Sequence, residues 1–185
     1  KISFARQDTQ GIENSTFVLH PIQPGDLNAV LEVYRQCEDF LALGPVATAS
    51  MGMVEADLDL SRQAGGIFCG IYSSEGQMIG VVDYVSSNFD GKPHLAYLSL
   101  LMIIPPFRKL GIGQAVVERV EAEIQQNPDV TAILSGVQVN NPLAVKFWQR
   151  QGYRITSGPE RMPDQTIVFH LQKNINQEAN RRRTQ

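Results

Sequence analysis

Residues 97–123 read YLSLLMIIPPFRKLGIGQAVVERVEAE, and the rest of the chain is arranged around this stretch. An apolar, β-favouring run from Leu98 to Ile104 stops at Pro105-Pro106. Arg108-Lys109-Leu110-Gly111-Ile112-Gly113 follows, and then Val116, Val117, Val120 and Ile124 recur at helical spacing. The pattern predicts a strand that passes through a basic, glycine-bearing turn into a helix. The first turn of a helix has amide N–H groups without intrahelical partners, and the helix dipole adds positive potential there. Gly111 and Gly113 let a bulky anion approach the backbone, and Arg108 and Lys109 bring charge to the mouth. The turn is either a phosphate cradle or a plain strand–loop–helix connection with a basic pair in water. Proline has no N–H, so the strand is expected to leave its neighbour at Pro105-Pro106. A V-shaped opening between two strands would then expose backbone groups to an extended ligand.

Upstream, Thr16 to Ile22 reads as a strand, and Asp26 as the cap of a helix with Leu27, Val30, Leu31 and Tyr34 on its apolar face. Residues 41–50 break that period, and a second helix is expected from about Val54 to Gln63. Gly66–Tyr72 and Gln77–Val85 form a hairpin through Ser73-Ser74-Glu75-Gly76, and residues 86–93 are a loop that turns at Asp90-Gly91. Downstream, the helix ends at Asn127-Pro128-Asp129, and Val130–Val139 is a strand. Asn140-Asn141-Pro142 opens a helix, with asparagine as its cap and proline early in the first turn. It carries Leu143, Phe147 and Trp148 and closes at Gly152. Tyr153–Ile155 and Thr166–Leu171 make a final hairpin with a loop at 157–165. The expected division is a flexible arm over 1–15, one domain over 16–172, and a polar basic tail over 173–185 with Arg181-Arg182-Arg183. The fold class is mixed α/β (α+β): a mostly antiparallel central sheet with helices on both faces and one or two crossovers.

The charge balance is 16 − 19 = −3, so no overall field recruits nucleic acid. No secretory h-region and no apolar run near the ~18 residues of a membrane span is present, which predicts no membrane partner. Cys37 and Cys69 have no metal-type spacing and read as reduced packing residues of a cytoplasmic protein. His20, His94 and His170 lack ligand-spaced partners, so no metal is expected. The sequence begins at Lys1 rather than Met, which leaves the true N-terminus open.

A dinucleotide fingerprint fails because position 116 is Val where a third glycine belongs, and a P-loop fails because no Gly-Lys-Ser/Thr follows. Arg108-Lys109-Leu110-Gly111-Ile112-Gly113 resembles instead the (Arg/Gln)-x-x-Gly-x-(Gly/Ala) signature of the GNAT superfamily of N-acetyltransferases. Asn141-Pro142-Leu143-Ala144, Phe147-Trp148 and Gly152-Tyr153 resemble that family's second block, and the element order agrees over residues 16–171. The resemblance implies the GNAT-like acyl-CoA N-acyltransferase fold, with acetyl-CoA as cosubstrate between the fourth and fifth strands. It implies that the backbone of Arg108, Lys109, Leu110, Gly111, Ile112, Gly113 and Gln114 cradles the pyrophosphate. It further implies that Met102 and Ile103 pair with the pantetheine arm, and that Asn141 bonds pantetheine or nearby backbone. Ala144, Phe147 and Trp148 would pack along the thiol end. The implied reaction is direct attack by a primary amine on the thioester, the amine belonging to a small molecule or a peptide.

Two positions depart from the family. Trp148 stands where many members have a tyrosine that protonates the thiolate, and an indole N–H is no practical acid. Ser99 stands about where many members have a glutamate on the fourth strand. The catalytic candidates are therefore Asp83, Tyr97 and Ser99. Asp83 lies in the apolar strand VVDYV, where an acid needs a partner or a cleft. Tyr97 and Ser99 share a face by period two, and either orients a water or fills the cleft. Without the tyrosine and glutamate, an acyl-CoA-binding sensor module stands as the alternative to an enzyme. Glu38, Asp39, Glu55, Asp57 and Asp59 suggest a cationic acceptor, or a solvated helix face. A homodimer is left open.

Overall fold

The computed structural model describes residues 17–175. The expected arm, the start of the first strand at Thr16, and the Arg181-Arg182-Arg183 tail lie outside the described residues. Strands β1 (Phe17–Pro21), β2 (Ile67–Ser73), β3 (Met78–Val85), β4 (Leu95–Ile103), β5 (Ala132–Gln138), β6 (Arg154–Arg161) and β7 (Ile167–Asn174) form one sheet. Its order is β1-β2-β3-β4-β5-β7-β6. Every neighbouring pair is antiparallel except β4–β5. The helices are α1 (Leu27–Gln36), α2 (Glu38–Leu41), α3 (Met51–Gln63), α4 (Ile112–Ile124) and α5 (Pro142–Arg150). The mixed, mostly antiparallel sheet of the sequence reading is the observed one.

Successive strand side chains point to opposite faces, and β3 shows which helix lies where. Asp83 accepts a hydrogen bond from Ser61 of α3 at 2.6 Å, while the next residue, Tyr84, donates to Glu123 of α4 at 2.9 Å. So α3 covers one face and α4 the other. Val30, Val33 and Tyr34 of α1 and Val54 of α3 are buried on the first face. Val116, Val117, Val120 and Ile124 of α4, the helical period read from the sequence, are buried on the second.

Four local expectations need correction. Asp26 stands at the N-cap position of α1 but its side chain caps no amide of that helix; it ends a 3-10 turn (Pro24–Asp26), where its Oδ2 accepts from the Gln23 amide at 2.8 Å. α3 begins three residues before Val54, because the Ser50 hydroxyl accepts from Met53 N at 3.2 Å and caps it. Residues 157–161 are not loop: β6 runs to Arg161 as an edge strand. All of β6 is exposed, so it has no buried face to produce an alternating pattern, and Pro159 fits an edge broken by register shifts.

The fourth correction concerns the opening. β4 pairs with β5 only from Leu95 to Leu98, opposite Ala132 to Ser135, and the strands then part. The prolines end β4 but do not cause the split. The ladder with β3 slips at Ser99, since Asp83 pairs with Leu100 and Tyr84 with Leu98. An extra residue of this kind bends and twists the strand that carries it. The Ser135 hydroxyl donates to Leu98 O at 2.8 Å and ties the base of the V.

Candidate active site

At the upper end of the V, β4 leads through the 3-10 turn Pro105–Phe107 into the basic turn. Lys109 has φ +63 and Gly111 has φ +80, while Arg108 before them is extended and Leu110 between them has negative φ, so the sign of φ alternates along the turn. Such a path points successive N–H groups into one concavity. Among the described residues nothing accepts a hydrogen bond from the amides of Lys109, Leu110, Gly111, Ile112, Gly113 or Gln114. They can hold an anion with several negative oxygens, such as a pyrophosphate. Gly113 lies beside Phe147: a Cβ there would stand in ordinary contact, 3.5 Å from the ring.

The Arg108 side chain is not free for that anion. Its Nε donates to Ile103 O at 2.7 Å, and its fork grips Asp39 of α2 (Nη2···Oδ1 2.9 Å). The Arg108 hydrogen bond holds the Asp39 carboxyl below its usual range. Stability gained this way is present above the unfolded carboxylate pKa near ~4 and is lost as pH falls through the lowered folded value. Both side chains are partly solvated, so screening keeps the pair near the roughly 0–1 kcal/mol of exposed pairs. Asp39→Asn should therefore be slightly less stable than the parent in denaturant melts at pH 7, and the gap should close on acidification. A constant gap down to pH ~2 would show that the Asp39 charge is not involved.

The wall of the V on β4 is backbone. Ile104 N donates to Ile79 O of the β3 side at 2.9 Å. By alternation the polar groups of Met102 also face β3, opposite Val81, while those of Leu101 and Ile103 face the V. The polar groups of Met102, the expected backbone partner, thus face β3 and not the V. Among the described residues the Ile103 N–H has no partner on this side, while its carbonyl is taken by Arg108 and by the Cys37 thiol at 3.5 Å.

The slip at Ser99 brings two of the three catalytic candidates together. Ser99 is exposed and its hydroxyl lies 2.6 Å from Asp83 Oδ2 and 2.9 Å from Asp83 O. The carboxylate is 8% exposed and its Oδ1 accepts from Ser61, a partner that the sequence reading misses. Asp83 thus has both a partner and, through Ser99, an outlet to the V. Tyr97 pairs with Val85 on the same face and stacks on Phe89 at 4.3 Å. Its hydroxyl sits 3.2 Å from where a Cβ of Gly136 would be, so a glycine on β5 makes room for it. Burial pushes the Tyr97 phenol up, and it stays protonated near neutrality.

On the far side, Asn141 Oδ1 accepts from Ala144 N at 3.1 Å and caps α5, as the sequence predicts. Only its Nδ2 is left for a ligand. Phe147 is half-buried beside the turn. Trp148 is 7% exposed and packs edge-on against Phe147 and Tyr153, so it belongs to the core and not to an open wall.

The segment 42–50 spans the two arms. α2 holds Arg108 at the β4 end through Asp39, and Asn140 Nδ2 donates to Leu43 O at 3.0 Å at the β5 end. Glu38 Oε1 accepts from Ala49 N at 2.9 Å. Asp57 accepts from Tyr34 OH at 2.7 Å, and Asp59 pairs with Arg62. Of the five residues read as an acidic acceptor face, Glu38, Asp39, Asp57 and Asp59 thus have partners inside the chain, while Glu55 is exposed on α3. Among the described residues no group of three His, Cys, Asp or Glu could hold a metal ion, and no helix is long and apolar enough to cross a membrane.

Residues 27–153 match the model of the acetyltransferase (GNAT) family. A probable N-acetyltransferase, san, of Drosophila melanogaster is 27% identical over 84 residues, a match that spans 45% of this chain and 45% of that relative. An acetyltransferase structure from Thermus thermophilus superposes with TM-score 0.71 at 22% identity, covering 86% of this chain and 97% of that one. A spermidine N-acetyltransferase of Vibrio cholerae, in complex with CoA and spermine, gives 0.66 at 14% identity, covering 87% and 96%. A ribosomal-protein-alanine N-acetyltransferase of Brucella melitensis gives 0.64 at 18% identity, covering 85% and 99%. At these identities the structures establish the fold.

Proposed function

The chain belongs to the GNAT acetyltransferase family, and on that premise we propose that it transfers acetyl from acetyl-CoA to a primary amine by direct attack in a ternary complex. The observation that carries this reading is the V between β4 and β5, which opens at Ser99 and ends beside the unpartnered amides of residues 109–114. An extended chain with a pyrophosphate at one end and a thioester at the other fits that run. Acetyl-CoA supplies the thioester carbon that the amine attacks.

The chain's residues then divide the work. The amides of Lys109 to Gln114 hold the pyrophosphate. Leu101 and the Ile103 N–H pair with the pantetheine arm, and Asn141 Nδ2 reaches it from the α5 side. Asp83 is the terminal base. The amine gives its proton to Ser99 Oγ while the Ser99 proton passes along its 2.6 Å hydrogen bond to Asp83 Oδ2, so Ser99 ends as a hydroxyl and the carboxylate ends neutral. A backbone N–H on the β4 wall meets the charge that develops on the thioester oxygen. Tyr97, still protonated, offers its phenol to the departing thiolate.

Titration calorimetry with acetyl-CoA, beside NAD as control, tests the premise, and thiol release with an amine panel tests turnover. Micromolar binding of acetyl-CoA alone, with amine-dependent release, is expected. Binding without release from any amine would identify a sensor module, and no binding would end the proposal. Trp148→Phe should lower kcat less than about tenfold, because a buried indole passes no proton. A loss of several orders of magnitude would place Trp148 in the chemistry.

A further inference from the structure

Proton bookkeeping leaves one step of acetyl transfer without a residue. A primary amine in water near neutrality is an ammonium, with a pKa of about 8 to 10. It loses one proton before its nitrogen can attack and a second as the amide forms. The Ser99–Asp83 pair takes one of the two, and Asp83 is buried. An enzyme that receives the ammonium form needs another acceptor for the first proton, open to water.

The sheet holds one beside the V. Along β5 and β7, Ile133, Val137 and Leu171 are buried on the α4 face, whereas Gly136, His170 and Gln172 on the opposite face are half-buried. That open face carries Tyr97, because Tyr97 pairs with Leu134 and Gly136 stands two residues further on. Gly136 is the first β5 residue past the Leu98–Ser135 pair, where the V opens. His170 of β7 lies directly opposite it, so their Cα atoms are about 4.5–5.5 Å apart. The Tyr97 hydroxyl sits 3.2 Å from where a Cβ of Gly136 would be. No side chain at position 136 therefore stands between His170 and the mouth of the V.

The ring is equipped to take a proton. Its Nε2 lies 2.5 Å from Glu160 Oε2, and among the described residues His170 is the one histidine with a carboxylate partner. A carboxylate that holds one ring nitrogen as donor leaves the other as acceptor and stabilises the imidazolium that forms. The two side chains are 36% and 61% exposed, so a proton taken here passes on to water. We infer that His170 is the base that deprotonates the acceptor's ammonium, with Glu160 as its positioning residue. Nδ1 takes the proton, directly or through one water, and releases it to solvent. The free amine then attacks the thioester, and the Ser99–Asp83 pair takes the second proton. This rests on the acetyl-transfer reading above.

The test uses two acceptors of similar outline at pH 7: ethylamine, which is an ammonium there, and trifluoroethylamine, whose fluorines withdraw charge and leave it a free amine. Thiol release is read at saturating acetyl-CoA. His170→Gln should lower kcat/KM for ethylamine about ten- to a hundredfold and for trifluoroethylamine less than about threefold. Added imidazole should restore part of the ethylamine rate in this variant, which the loss of a merely structural side chain would not allow. Glu160→Gln keeps the histidine and should show a smaller loss in the same direction. The Kd for acetyl-CoA, read by calorimetry, should match the parent's in both variants, which also reports that they are folded. If the parent does not use ethylamine, or if His170→Gln lowers both amines alike or neither, His170 is not the base, and the acetyl-transfer reading is judged separately by the amine panel. If the parent binds no acetyl-CoA, the inference and the reading beneath it fall together.

Discussion

Asp83→Asn should lower kcat by about two to three orders of magnitude while leaving the Kd for acetyl-CoA within about twofold. The size follows from losing a positioned proton acceptor, typically worth ~10²–10⁴-fold. The selectivity follows from place. Asp83 sits on β3 behind Ser99, on the face covered by α3, whereas the amides of the basic turn stand at the far end of β4. Asparagine keeps the outline of the side chain but turns one oxygen into a donor. One serine, Ser61 or Ser99, then meets an N–H where it had met an oxygen. That mismatch costs stability, about 1–3 kcal/mol for a buried polar group left unpaired, so thermal melts must accompany the kinetics. Ser99→Ala separates the roles. If Ser99 carries the proton, its removal should cost about ten- to a hundredfold in kcat, because a water can replace the hydroxyl at lower efficiency. Full activity in Ser99→Ala with loss in Asp83→Asn would mean that Asp83 acts without Ser99. Full activity in both would remove the pair from the chemistry.

The pair also shows where a sequence stops being legible. Asp83 stands out because VVDYV has one acid among apolar neighbours, and burial demands a reason for it. Its partners do not stand out. Ser61 is 22 residues upstream on a helix and Ser99 is 16 residues downstream on another strand. Ser99 faces Asp83 through a slip in register, which no period announces. The same holds for Arg108 and Asp39, which are 69 residues apart. The sequence alone puts Arg108 at a phosphate mouth, and its charge is instead committed to α2. The family resemblance implies Met102 as a backbone partner of the ligand, and the run LLMII carries no phase to correct it. Only the hydrogen bond from Ile104 to Ile79 fixes which residues face the V. What is legible is local: the strand–turn–helix, the hairpin through Gly76, and the asparagine cap of α5. In each case one or two residues determine the backbone by their own chemistry.

Gly111→Asp combined with Gly113→Asp should raise the Kd for acetyl-CoA at least a hundredfold. Unit charges of like sign 4 Å apart repel by about 4 kcal/mol at an effective dielectric near 20, roughly a thousandfold in affinity. The turn is open to water, since Lys109, Leu110 and Gly111 are exposed, and that lowers the effect. Two charges restore part of it. The backbone adds a second cause. Gly111 has φ +80, where a β-carbon is strained, and a side chain at Gly113 would lie against the Phe147 ring. The matching double variant with Asn divides the causes, because Asn has the size of Asp, tolerates the left-handed region and carries no charge. If charge dominates, the Asn pair should bind acetyl-CoA at least tenfold more tightly than the Asp pair, and 0.5 M salt should narrow the difference. Equal weakness in both would trace the loss to Phe147 and the turn's shape. A folded Asp pair that binds acetyl-CoA as the parent does would show that these amides face no phosphate, and the assignment of the V to acetyl-CoA would lose its anchor.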